Sequence, residues 1–228
     1  MAGLIAAPQN PQPQNPSPQS ASPPIFHPGA PGAASRAITA GEAVALSRTT
    51  FTAGDVAFMQ HMIVHHGQAV EMVALLEAQG ANPTVKLLGR RIALSQEAEI
   101  AIMRDWLTDR GQPLAMPGMD HGGMDHSAHA GMAGMEGMAE APASDTPLMP
   151  GMLSPAQMQR LAAARGADFD KLFLEGMIQH HKGALDMVDA LLAQPGAAED
   201  PLLSDFTTSV VADQSAEILR MQNVLSDL

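Results

Sequence analysis

Histidine and methionine recur at helical spacing in two stretches of this sequence, and both supply donors for soft and borderline metal ions. The first stretch reads Met62-Ile63-Val64-His65-His66-Gly67-Gln68-Ala69-Val70-Glu71-Met72. The second reads Met177-Ile178-Gln179-His180-His181-Lys182-Gly183-Ala184-Leu185-Asp186-Met187. The offset between them is constant, since 180 − 65, 177 − 62 and 187 − 72 all give 115, and Phe58 and Phe173 keep it. Four of the nine histidines lie in these two copies. A helix turns about 100° per residue, which puts Met62, His66, Ala69 and Val73 on one stripe, with His65 and Met72 on the next and His61 beside them. Met177, His181, Ala184 and Val188, flanked by His180 and Met187, repeat the arrangement.

A second pair of segments follows the same duplication. Gln96-Glu97-Ala98-Glu99-Ile100 leads to Met103, and Gln214-Ser215-Ala216-Glu217-Ile218 leads to Met221. Gln96 and Glu99 fall on the apolar stripe of Ile92, Ile100, Met103 and Leu107, and Gln214 and Glu217 fall among Ile218 and Met221. Polar groups on a core-facing stripe must be hydrogen-bonded, paired or coordinated. Two readings are open. In one, imidazole nitrogen and thioether sulfur hold copper, or silver by similarity of softness, with the glutamates as ligands or as orienting partners of histidine. In the other, the methionines fill the core and the His/Glu groups form a hydrogen-bonded network that fixes helix register. Neither half contains Glu-x-x-His, since Ile102 and Arg220 stand three residues after Glu99 and Glu217, which argues against a di-iron centre. No Ser/His/Asp order, nucleophile elbow, phosphate loop or zincin motif is present.

A separate signal lies between the copies. Met119, His121, Met124, His126 and His129 belong to a Gly-rich tract with six Met and three His between Met116 and Met138. Met149 and Met152 continue it. Such a composition captures soft ions weakly and at several places without a preformed cavity.

The elements that must position these residues are helical. Seventeen Met accompany six Phe, one Trp and no Tyr, so strand formers are scarce and helix formers abundant. Caps and breakers predict helices over about 54–79, 83–110, 154–165, 168–194 and 201–226, with a weaker helical pattern over 37–50. Short links at Gly80–Asn82 and Pro195–Asp200 make two antiparallel hairpins, and two similar hairpins imply a four-helix bundle with pseudo-twofold symmetry. The fold class is therefore all-α, with a short accessory helix. The domain plan is a Pro/Gln-rich tether over 1–40, a first hairpin over 41–111, a Met/His-rich flexible linker over 112–153 and a second hairpin over 154–228. The two hairpins together form one domain.

Composition excludes several classes. A net charge of −12 with no basic patch argues against nucleic acid. The absence of cysteine removes disulfides, thiol catalysis and Cys-based zinc sites, and leaves Met and His as the soft ligands of a chain suited to an oxidising compartment. No stretch has the roughly 20 apolar residues of a membrane span. Met1-Ala2-Gly3-Leu4-Ile5-Ala6-Ala7 reads as the tail of a signal peptide, giving an expectation of export to the periplasm or outside.

The duplicated Met-Ile-x-His-His-x-x-Ala-x-x-Met run, with Gln96-Glu97-Ala98-Glu99-Ile100 and Met103, resembles the signature of the "domain of unknown function 305" family. The resemblance covers about 50–111 and 150–226. It implies a ferritin-like helical bundle, export, and copper binding in some members. Carried over by position, it implies the candidate ligands Met62, His65, His66, Met72, Glu99 and Met103, and Met177, His180, His181, Met187, Glu217 and Met221. The family usually has Gly where this chain has His61, as Gly176 in the second half does; His61 is an added ligand or an exposed histidine. The function expected is copper or silver binding for buffering, tolerance or transfer, with other exported copper-handling proteins as partners. The alternatives are a metal-dependent redox enzyme of the same fold, and a structural bundle with no metal.

Overall fold

The computed structural model describes residues 24–27, 34–46, 50–115 and 144–228. They divide into two compact units, Met1–Arg48 and Thr49–Leu228. In the first unit, β1 (Ile25–His27) pairs antiparallel with β2 (Arg36–Ile38), Ile25 opposite Ile38, and α1 (Ala40–Leu46) follows. The Pro-rich composition does not announce this ribbon. Its strands hold the β-branched and aromatic residues of the stretch, Ile25, Phe26 and Ile38, which favour pairing.

The second unit is the helical bundle: α2 (Ala53–Gln79), α3 (Pro83–Asp109), the short α4 (Pro155–Ala163), α5 (Gly166–Leu192) and α6 (Pro201–Ser226). The sequence signals act where expected. Thr52 and Asp55 form a capping box on α2, Asn82 and Asp200 cap α3 and α6, and Ser154 with Gln157 boxes α4. Each hairpin is antiparallel, and Gly80 at the end of α2 bridges to Gly166 at the start of α5. The path from α3 to α5 therefore crosses from one end of the bundle to the other. This single long crossover is the ferritin-like connectivity. No helix among the described residues is long and apolar enough to cross a membrane.

The core is stratified. At one end Phe58, Met59 and Met62 of α2 pack with Met103, Trp106 and Leu107 of α3, Ala184, Val188 and Leu191 of α5, and Leu203, Phe206 and Val210 of α6. At the other end Ala69, Met72, Val73 and Leu76 pack with Val85, Leu88 and Ile92, with Phe169, Phe173, Leu174 and Met177, and with Ile218 and Met221. On every helix the polar pair falls between the two clusters: His65/His66, Gln96/Glu99, His180/His181 and Gln214/Glu217. All eight side chains are buried.

Two buried aspartates at the 115-residue offset lock the hairpins together. Asp55 Oδ1 accepts from the Ala198 N–H at 2.9 Å, in the turn of the second hairpin. Asp170 accepts from Ala81 N–H at 3.1 and 3.2 Å and from Asn82 N–H at 2.8 Å, in the turn of the first. Each histidine-bearing helix thus holds the opposite hairpin's turn, and the hairpins' relative register follows. Removing the acceptor leaves partly buried turn amides without that partner. Asp170→Ala is expected to cost about 2–4 kcal/mol in urea unfolding, with Asp170→Asn costing less because one acceptor oxygen remains. A loss below about 0.5 kcal/mol for Asp170→Ala would remove the lock.

Candidate metal centre

The four imidazoles meet between the apolar clusters. His65 of α2 and His180 of α5 stack across the hairpin boundary, with ring centroids 3.8 Å apart and planes tilted 37°. His66 and His181 flank them, 6.3 Å from His65 and 6.1 Å from His180 respectively. The duplication thus brings the four rings into one cluster built from both halves.

Every Nε2 in the cluster is held by an oxygen. His66 Nε2 donates to Glu99 Oε2 at 2.5 Å, and His181 Nε2 donates to Glu217 Oε2 at 2.7 Å. His65 Nε2 donates to the Pro150 carbonyl at 3.0 Å, and His180 Nε2 donates to the His65 carbonyl at 2.8 Å. A carbonyl or carboxylate accepts only, so the proton of each neutral ring sits on Nε2 and the lone pair on Nδ1. All four Nδ1 atoms are buried with no hydrogen-bond partner among the described residues, as are Gln96 Oε1 and both polar atoms of the Gln214 amide. A metal-ligating histidine has this arrangement: one nitrogen tied to a carboxylate or carbonyl, the other presented to the ion. Burial is the main force holding His65 down at a pKa of about 3, with His66 adding repulsion, and it holds His180 well below the ordinary value, aided by His65. Both rings are neutral at pH 7 and able to ligate.

A network that only fixes helix register gains most when every member is satisfied. Each unsatisfied buried polar atom costs about 1–3 kcal/mol, and this layer concentrates several. The donor set therefore fits a soft or borderline cation better than a closed hydrogen-bond network. Among the described residues no three His, Asp or Glu side chains already converge as a cation cage. The rings form a cluster of pairs with a common unused nitrogen.

The methionines are distributed differently from the sequence grouping. Met62 and Met103 of the first half share a cluster with Met187 of the second, while Met177 and Met221 share theirs with Met72. The pseudo-twofold exchanges one thioether between halves, because α2 and α5 run antiparallel across the axis. Met62, Met72, Met103, Met177 and Met221 are fully buried, and Met187 is half-buried. His61 lies apart from the four-ring cluster, half-buried in a surface pocket, with its pKa lowered by desolvation. Met119, His121, Met124, His126 and His129 lie outside the described residues.

Sequence reasoning missed a strap. Residues 149–153 cross α2 and α5 directly over the centre. The Gln68 amide clamps Leu153, accepting from its N–H at 2.7 Å and donating to its carbonyl at 2.9 Å. Gln179 donates to the Gly151 and Met152 carbonyls at 3.3 and 3.2 Å. Gly151 has φ 73°, and a Cβ on Gly183 would collide with the Pro150 carbonyl and Gly151. The available signal was a mismatch inside the repeat, since Gln68 faces Gly183 at the 115-residue offset.

The two depressed histidines of the cluster, His65 and His180, set a pH dependence. Unfolded, they titrate near 6.5; folded, His65 titrates near 3. Between these values the unfolded chain binds more protons, so stability is full above about pH 6.5 and falls as pH drops toward 3. Metal-free protein is expected to lose thermal stability steadily from pH 7 to 4. The His65→Gln/His180→Gln variant, which keeps donors near the Nε2 positions, is expected to give a shallower slope. Equal slopes would contradict the assignment.

Known proteins share this fold. The chain is similar to a DUF305 fragment from Deinococcus radiodurans, with 29% identity, 78% of this chain and 99% of that one covered, and a TM-score of 0.60. A DUF305 protein from Streptomyces coelicolor is 24% identical over 76% and 93% of the chains, with a TM-score of 0.58. CopM in its Cu(I)-bound form has the same fold at 24% identity, 78% and 98% coverage and a TM-score of 0.53. No curated protein matches the sequence. The model of the "Domain of unknown function (DUF305)" matches residues 55–225, and the chain belongs to that family.

Proposed function

We propose that this protein binds copper, or silver, in the bundle's polar layer, and serves in an exported setting to buffer the ion or pass it on. The observation that carries the reading is the set of four buried histidines, each with Nε2 donated to an oxygen and Nδ1 unpartnered. His65, His66, His180 and His181 would hold the ion. Glu99 and Glu217 would orient two of the rings and offset its charge, and the neighbouring thioethers favour a soft, reduced cation. CopM, alike in fold, is known with Cu(I) bound; for this chain the reading rests on its own histidines. The absence of cysteine suits an oxidising compartment, where Met and His hold copper without a thiol to oxidise. The Met/His tract over 116–138 would collect ions for the folded site. Its position fits that role, since it leads into the strap that offers the Pro150 carbonyl to His65.

Competition titration with Cu(I) and Ag(I) tests the core and the tract separately. In protein lacking 116–143, which keeps the strap, a tight site is expected to remain. It should vanish when His65, His66, His180 and His181 are all replaced by Ala. Glu99→Ala and Glu217→Ala are each expected to weaken binding about 10–100-fold, as loss of a ring-orienting carboxylate does. Unchanged affinity in the four-histidine variant would refute the core site, whatever the tract binds.

A further inference from the structure

The duplicated halves differ around His61. Around His61 a surface pocket of about 330 Å³ is lined by Gly54, Ala57, Phe58, Met187, Ala190 and Gln194. At the 115-residue offset the other half has Phe169 for Gly54, Leu172 for Ala57 and Leu75 for Ala190. Three large apolar side chains have small counterparts here. Where space is thus opened, the chain carries a histidine opposite Gly176.

The second half also shows what a side chain at this position meets. A Cβ built on Gly176 would lie 3.2 Å from the Met72 methyl and 3.1 Å from Leu153. Met72 is fully buried beneath the strap at that end. Its counterpart Met187 lines the open pocket with His61 and is partly exposed. Gln194 packs its carbonyl oxygen onto Gly54 in the same wall.

We infer that this pocket is a second soft-cation site, distinct from the bundle's polar layer, in which the His61 imidazole and the Met187 thioether take Cu(I) or Ag(I) from solvent. Imidazole and thioether are the neutral donor pair that selects soft monovalent cations over Mg²⁺ and Ca²⁺. The partly apolar walls supply a site of low polarity, and the Gln194 carbonyl offers a further weak donor. The competing account is a half-buried histidine that packs its ring in an apolar hollow. The two accounts differ over which substitutions the site tolerates.

The full chain, labelled at methionine methyls and imidazole nitrogens, is titrated with Ag(I), which is soft and diamagnetic. Met187→Leu and His61→Leu assign the two signals. Silver is expected to shift the Met187 methyl and the His61 ring together. His61→Leu, which fills the hollow without a donor, should abolish the Met187 shift, and His61→Met, which restores a soft donor, should retain it. A silent Met187 methyl, or one that shifts equally in His61→Leu, overturns the site. The His66 and His181 rings report on the polar layer in the same spectra. Silence there with a response at His61 and Met187 would remove the core reading alone, and the reverse pattern would remove only this one.

Discussion

Four imidazole Nε2–H groups buried in the middle of a helical bundle each need an oxygen, and the rest of the structure is arranged to supply them. Glu99 and Glu217 come from the second helix of each hairpin, the His65 carbonyl from α2 itself, and the Pro150 carbonyl from the crossover. No single hairpin contains the full set. The four-ring arrangement needs both hairpins and the crossover in place. The aspartates that tie each histidine-bearing helix to the other hairpin's turn serve the same end, because a slip between α2 and α5 would separate His65 from His180.

The pseudo-symmetry holds in the polar layer and is broken around His61 and where the crossover touches the helices. A twofold bundle has two equivalent faces, but one chain has one crossover. The strap docks on the face where Gln68 can clamp its backbone and Gly183 leaves room for it. His65 therefore finds a carbonyl in the strap, while His180, its mate, must use the His65 carbonyl. Covering one face also accounts for the fate of the two equivalent thioethers. Met72 is sealed beneath Leu153, and Met187 stays at a pocket wall.

The helices were legible in the sequence because their signals are local. Thr52 with Asp55, Pro83, Gly80 and Pro201 mark their ends by capping and backbone geometry alone. The His and Glu members of the centre were legible too, since polar groups repeated at a fixed offset on an apolar stripe must find partners or a ligand once buried. The rest depends on long-range geometry that no window of sequence contains. One methionine of each half, Met72 and Met187, groups across the axis, which follows from the antiparallel packing of α2 against α5. Asp55 reads as an ordinary first-turn acid, and nothing local marks Asp170, until the turns of the opposite hairpins are brought to them. The strap reads as linker because its partners, Gln68 and Gln179, are polar helix residues with nothing nearby in sequence to bond.

Within the polar layer the two carboxylates are paired only with histidines, Glu99 with His66 and Glu217 with His181. The layer's eight members are four histidines, two glutamates and two glutamines, with no lysine or arginine among them. Two carboxylates therefore face a layer whose only positive charge must come from a protonated imidazole or from outside. Protonating His65 or His180 is opposed by burial and by the neighbouring rings. Replacing buried polar clusters with well-packed apolar side chains is often neutral or stabilising in other proteins. A sequence that instead places four histidines and two carboxylates between two apolar slabs, and does so symmetrically, keeps its polar groups at the level where the two halves meet.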